Sequence, residues 1–107
     1  MVNKPTLDAV YGALADPTRR QMVERLQGGS LSVSDLAAPL SMTLAAVGKH
    51  VAVLEAAHII STTKSGRVRT CAIVPHALSE ATKWISDQEA FWNSRIDALA
   101  SYLEEEK

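Results

Sequence analysis

The sequence predicts a small, mainly α-helical domain with one β-hairpin, and three observations predict it. Apolar residues recur at helical spacing in segments between residues 6 and 57 and again beyond residue 75. Between them, Ile59 to Val74 loses that period, is rich in Ile, Val and Thr, and is broken by Lys64-Ser65-Gly66-Arg67. Two strands and a turn produce that pattern. Finally, 107 residues, 47% apolar and 21% charged, suit one folded domain. No run of about 18 apolar residues occurs, so no transmembrane helix is expected. Met1-Val2-Asn3-Lys4-Pro5 lacks the apolar stretch of a secretory signal, and Cys71 is the one cysteine, which suits a reducing cytoplasm.

The elements follow in order. Leu7, Val10, Tyr11 and Leu14 form one apolar stripe at i, i+3, i+4 and i+7 over residues 6–15. Asp16-Pro17 restarts the chain, with Asp as an N-cap and Pro at the first helical position. Met22, Val23 and Leu26 form the inner face of that second helix, and Gly28-Gly29 ends it. Ser32 with Asp35 resembles a capping box, Leu36, Ala37 and Leu40 are apolar, and Pro39 keeps this third helix short. Thr43 caps a fourth helix running to about Ala57, the hairpin follows, and Pro75-His76 starts a long last helix to about Glu105. No internal repeat or linker interrupts the domain, 1–107.

A formal charge of −1 does not suggest a polyanion partner, but its distribution does. Residues 43–70 carry Lys49, Lys64, Arg67 and Arg69 against Glu55 alone. Residues 71–107 carry Lys83, Arg95 and Lys107 against seven acids. Partner choice follows the local field rather than the total.

A short helix, a turn, a second helix and a basic-tipped hairpin make a winged helix-turn-helix. Its second helix enters the DNA major groove, and its hairpin lies along the backbone or minor groove. Here the chain resembles a family. Leu14-Ala15-Asp16-Pro17-Thr18-Arg19-Arg20, Leu31-Ser32-Val33-Ser34-Asp35-Leu36-Ala37, and Ala46-Val47-Gly48-Lys49-His50-Val51 with Leu54-Glu55 are similar to the ArsR/SmtB-type transcriptional repressors. The resemblance covers nearly the whole chain and implies a homodimeric repressor of a palindromic operator, with the first and last helices at the dimer interface. The chain departs from the family at Gly48, usually Ser; at His58, usually Gly; at Thr70-Cys71-Ala72, where aromatics are common; and at Ser32 and Ser34, where metal sensors often carry a Cys-x-Cys pair.

Projected at about 100° per residue, Val47, Val51 and Leu54 face the core and Ala45, Gly48, Lys49, Ala52 and Ala56 lie opposite. Lys49 is the one long polar side chain on that outer face, where readout normally uses Arg, Asn or Gln. Alanine can meet a thymine methyl. Gly48 either lets the backbone approach DNA or is drift at a site that lost function. The candidate DNA-binding residues are Thr43, Ala45, Gly48, Lys49, His50, Lys64, Arg67 and Arg69. Arg67 and Arg69, two apart, would share a strand face and, with Lys64, form a cationic tip for phosphate or the minor groove; a solvated turn is the bland alternative. His50 suits phosphate contact or packing equally, and His58 ends the helix.

Metal sensing needs clustered Cys, His and carboxylates. His50, His58 and His76 are dispersed over three elements, and the last helix carries no histidine, so neither metal nor other cofactor is assigned. Cys71 reads as a buried small hydrophobe. Four of the five aromatics, Trp84, Phe91, Trp92 and Tyr102, lie in the last helix, and Tyr11 lies in the first. Leu7, Tyr11, Leu14, Trp84, Phe91, Trp92, Ile96, Leu99 and Leu103 are the candidate interface with a second copy; a purely intrachain core is the alternative. A pocket between these aromatics could take an effector, and nothing identifies one. No nucleophile triad, phosphate loop or carboxylate pair points to an enzyme. The competing reading is a winged-helix dimerisation or protein-interaction module with decayed DNA binding.

Overall fold

The computed structural model describes residues 6–105; residues 1–5 and 106–107, including the N-terminal stretch and Lys107 considered above, lie outside them. The elements are α1 (Leu7–Leu14), α2 (Pro17–Leu26), β1 (Leu31–Ser32), α3 (Val33–Ala37), α4 (Leu44–Ala56), β2 (Ile60–Ser65), β3 (Val68–Ile73) and α5 (Ser79–Glu105). Mainly helical, with a hairpin of strands between α4 and α5, the chain has the winged helix-turn-helix architecture its sequence predicts.

Side-chain caps set where the first four helices begin. Thr6, Asp16, Ser32 and Thr43 sit in extended backbone, and each side-chain oxygen accepts from the N–H three residues on, at 3.0–3.1 Å. Each bond satisfies an amide that the first turn leaves without a helical partner. The amide of Arg19, together with its charge, holds the Asp16 carboxyl below the ordinary carboxylate range. One helical stop is unusual. The His58 N–H donates to the Glu55 carbonyl at 2.9 Å and the Ile59 N–H to the Leu54 carbonyl at 3.1 Å. This paired closure needs a left-handed residue, and His58 takes that position with φ 58°.

The core joins all layers: Met22 from α2, Leu36 from α3, Val47, Val51 and Leu54 from α4, and Ile59, Ile60 and Cys71 from the sheet are fully buried. Burial pushes the Cys71 thiol up from its ordinary value, as suits a packed small hydrophobe. The sheet order is β1-β3-β2, all antiparallel.

The structure corrects three expectations. Leu31–Ser32 is a third strand, paired Leu31↔Cys71 and Ser32↔Thr70, before Ser32 caps α3. The last helix begins at Ser79 rather than Pro75-His76. There His76 adopts φ 61°, and the Ala77 and Ser79 amides close turns onto Val74 and His76. Finally, Arg67 is not on a strand: the two-residue turn between β2 and β3 is Gly66-Arg67, with Gly66 at φ 62°. The strand-face argument linking Arg67 to Arg69 therefore does not apply.

α5 leaves the body. A compact chain of this length has a radius of gyration of about 13 Å; the observed value is 19.3 Å, with a longest dimension of 71 Å. Ala81 is the buried residue of α5, and every described residue beyond it is exposed.

Candidate nucleic-acid interface

α4 rests on Val47, Val51 and Leu54, which are buried completely. Its exposed positions are Leu44, Ala45, Lys49, Ala52, Val53 and Ala56, so Lys49 is the only polar one. Gly48, half-buried, lies among them; an ideal Cβ built there meets nothing within 4 Å. The fold therefore does not require glycine at that position. Thr43 is exposed, and its hydroxyl oxygen is engaged as the cap, 3.1 Å from the Ala46 amide.

The hairpin places Lys64 directly opposite Arg69 in the β2–β3 register, with Arg67 exposed in the turn. Arg69 turns back toward α4. Its Nη2 lies 3.2 Å from Glu55 Oε1 and 3.3 Å from Thr62 Oγ1, and the Thr62 hydroxyl donates to Glu55 Oε2 at 2.5 Å. This cluster ties the wing to α4. It also gives Arg69 an acidic partner inside the chain, which sequence spacing did not reveal.

Similarity to known proteins agrees with this geometry. Residues 14–63 match a helix-turn-helix domain family. The chain is 33% identical over 99 residues to the HTH-type transcriptional regulator Rv2034 of Mycobacterium tuberculosis, covering 92% of this chain and 90% of the relative. It is 25% identical over 79 residues to the transcriptional repressor SdpR of Bacillus subtilis, covering 74% and 88%. Among solved structures, an ArsR family transcriptional regulator superposes with TM-score 0.77 at 42% identity, over 81% of this chain and 96% of the other. The chain belongs to the ArsR family. It is thus a transcriptional regulator with a helix-turn-helix DNA-binding domain, a non-enzymatic class. An ArsR-like regulator from Rhodococcus sp. RHA1 has TM-score 0.74 at 28% identity, over 87% and 88%.

The family-like Asp16-Pro17-Thr18-Arg19-Arg20 run has a local explanation in this ArsR family member. Arg19 Nε donates to the Ala13 carbonyl at 2.7 Å and Nη2 to Gly12 at 3.1 Å; Arg20 Nη1 donates to Leu14 at 2.7 Å. Both guanidiniums close the carbonyl end of α1, where cations also complement the helix dipole. Arg25 does the same for α3, donating to Leu36 at 2.6 Å and Asp35 at 3.1 Å. Arg19 Nη1 also lies 3.2 Å from His50 Nδ1. Arginine only donates, so Nδ1 accepts, and half-buried His50 links α4 to Arg19 on α2.

The cations sort cleanly as a result. Lys83 pairs with Asp87 at 2.7 Å, and Arg95 stacks 4.9 Å from the Phe91 ring centroid. Among the described residues, the cations without an intramolecular partner are Lys49, Lys64 and Arg67, all on α4 or the wing.

The candidate interface residues divide into two groups. Leu7, Tyr11 and Leu14 are half-buried against this chain's own core. The Tyr11 hydroxyl donates to the Ala81 carbonyl at 2.7 Å, and its ring meets Trp84 edge-on at 6.2 Å, fixing α5 on α1. Trp84, Phe91, Trp92, Ile96, Leu99 and Leu103 remain 49–63% exposed. His50 lies on α4, while His58 and His76, in the connections after α4 and β3, line one pocket with Glu80; among the described residues no group of three or more His, Cys, Asp or Glu side chains could hold a metal ion. No described helix is long and apolar enough to cross a membrane.

Proposed function

We propose that this ArsR family member is a homodimeric repressor that binds a palindromic operator in the cytoplasm, without a metal. α4 enters the major groove, with Thr43, Ala45, Gly48, Lys49 and His50 toward the DNA, while Lys64, Arg67 and Arg69 hold the flanking strand. The observation that carries this reading is the unpartnered set Lys49, Lys64 and Arg67: the free cations converge on the two elements that a winged helix presents to DNA. The name of the Bacillus subtilis relative, a transcriptional repressor, supports the direction of regulation. The uncovered apolar face of α5, projecting from the body, supports pairing through a second copy.

Two measurements test this. Sedimentation at micromolar concentration is expected to give about twice the 11.5 kDa protomer, and Trp92→Ala is expected to weaken that dimer because large aromatics anchor such interfaces. Selection from a random duplex pool is expected to enrich an inverted repeat whose half-sites are about 34–36 Å apart or a multiple of that. A monomer, or a pool with no enrichment, overturns the proposal. The apolar outer face of α4, with Leu44 and Val53 exposed, favours a second reading, a protein-interaction module. That reading gains if Lys49→Ala and Arg67→Ala leave DNA affinity unchanged.

A further inference from the structure

α4 begins with a large apolar side chain that the fold leaves uncovered. Leu44, its first residue, is 58% exposed beside exposed Ala45. It borders a cleft of about 370 Å³ whose other walls include Val33, Val68, Arg67 and Arg69. Cations flank the apolar patch: Arg67 and Arg69 line the cleft beside Leu44, and Lys49 lies one turn along the helix from Ala45. Such a frame fits an occupant that is anionic outside and offers small apolar groups inside.

We infer that Leu44 and Ala45 are specificity-determining residues and that they bind the C5-methyl groups of thymines in the major groove. This rests on the proposed function, in which α4 enters the groove, and adds what it reads there. The chemistry selects thymine among the bases. Guanine is read by Arg or Lys, adenine by Asn or Gln, and cytosine by a carboxylate. Of these the exposed α4 positions hold only Lys49; the rest are Leu, Ala and Val, and the first two, Leu44 and Ala45, have no polar side-chain atom to offer. Thymine alone projects an apolar group into the major groove, and a methyl buried on Leu44 or Ala45 gains what a donor does not. The N-terminal residues of a recognition helix are those that reach base edges, and Leu44 and Ala45 are the first two of α4. Phosphates on Arg67 and Lys49 would hold the duplex over this end of the helix.

The test starts from the duplex that the full-length protein selects from a random pool. Thymines in each half-site are replaced one at a time by deoxyuridine, which lacks only the methyl. At contacted positions affinity is expected to fall about fourfold per methyl. In Leu44→Ala, whose melting temperature should match the parent because the side chain is exposed, the penalty at one position is expected to shrink below about twofold. Lys49→Ala is expected to weaken thymine and uracil duplexes alike. If a duplex is selected and uracil changes its affinity less than about twofold at every position, this inference falls and the proposed function stands. The same holds if the uracil penalties persist unchanged in both Leu44→Ala and Ala45→Ser. If no duplex is retained, both fall, and an apolar peptide becomes the occupant of the Leu44 patch.

Discussion

Gly48→Ala separates what the fold needs at this position from what DNA needs. Apart from the helix's own backbone and the two neighbouring residues, no heavy atom lies within 4 Å of the Cβ that alanine would add, and the backbone there is not left-handed. The substitution therefore adds neither clash nor strain. What remains is helix propensity, which favours alanine by about 0.8–1.0 kcal/mol in a helix interior. For a domain of this size, that raises the melting temperature by about 4–8 °C. Binding should move the other way. If the Gly48 backbone lies against the groove, the new methyl occupies space that a base edge requires, and affinity falls by about 1–3 kcal/mol. Thermal unfolding of both proteins at equal protomer concentration reads the first effect. Titration of the selected operator at one fixed salt concentration reads the second. A variant that melts higher yet binds as tightly as the parent removes the close-approach argument and leaves Gly48 as drift. One that melts lower shows that something packs on Gly48. Gly48→Ser, restoring the residue usual in the family, is expected to fold normally and shift sequence preference.

The other expectations use the same assays. Arg67→Ala should flatten the dependence of log affinity on log salt by about one unit, because Arg67 has no partner in the chain. Arg69→Ala should flatten it less, since Glu55 already answers part of that charge; equal slopes for the two variants would contradict the pairing. His58→Gly should stabilise the fold by about 1 kcal/mol by relieving the left-handed conformation, and a lower melting temperature would count against that explanation. Zinc titrated against a competing chelator should show no stoichiometric nanomolar site; Cys71 is buried with its thiol pushed up, and among the described residues no three ligand side chains come together. Such a site would reinstate a metal sensor.

Local chemistry made most of the fold legible. Asp16, Ser32 and Thr43 are capping residues at the right offsets, and each caps as its sequence context implies. Pro39 limits α3, which ends at Ala37. Val47, Val51 and Leu54 share one face at helical spacing and are all fully buried. What escaped is what lacks a local signal. A two-residue strand such as Leu31–Ser32 has no alternation to detect, and its pairing with β3 spans about forty residues of sequence. The left-handed turns at His58 and His76 carry no glycine to mark them, so sequence places a helix start where the backbone of His76 forbids one.

The candidate interface could be named from sequence, but not the state of its charges. Counting residues treats eleven cations alike. Side-chain geometry divides them by what each already touches: Arg19, Arg20 and Arg25 close helix ends, Lys83 and Arg95 stay on α5, and Arg69 is held by Glu55. The two contacts on α5 are i,i+4 pairs that spacing allows; the others do not follow from spacing, because each carbonyl or carboxylate is brought near by packing between elements. A polyanion meets the charge left unanswered, and that charge lies on Lys49, Lys64 and Arg67. The near-neutral total therefore does not oppose DNA binding. The acids concentrated in the C-terminal third lie largely on α5, on a helix that projects away from the body. Beyond about a Debye length, 8 Å at physiological salt, they weigh little against three free cations standing around an apolar helix face.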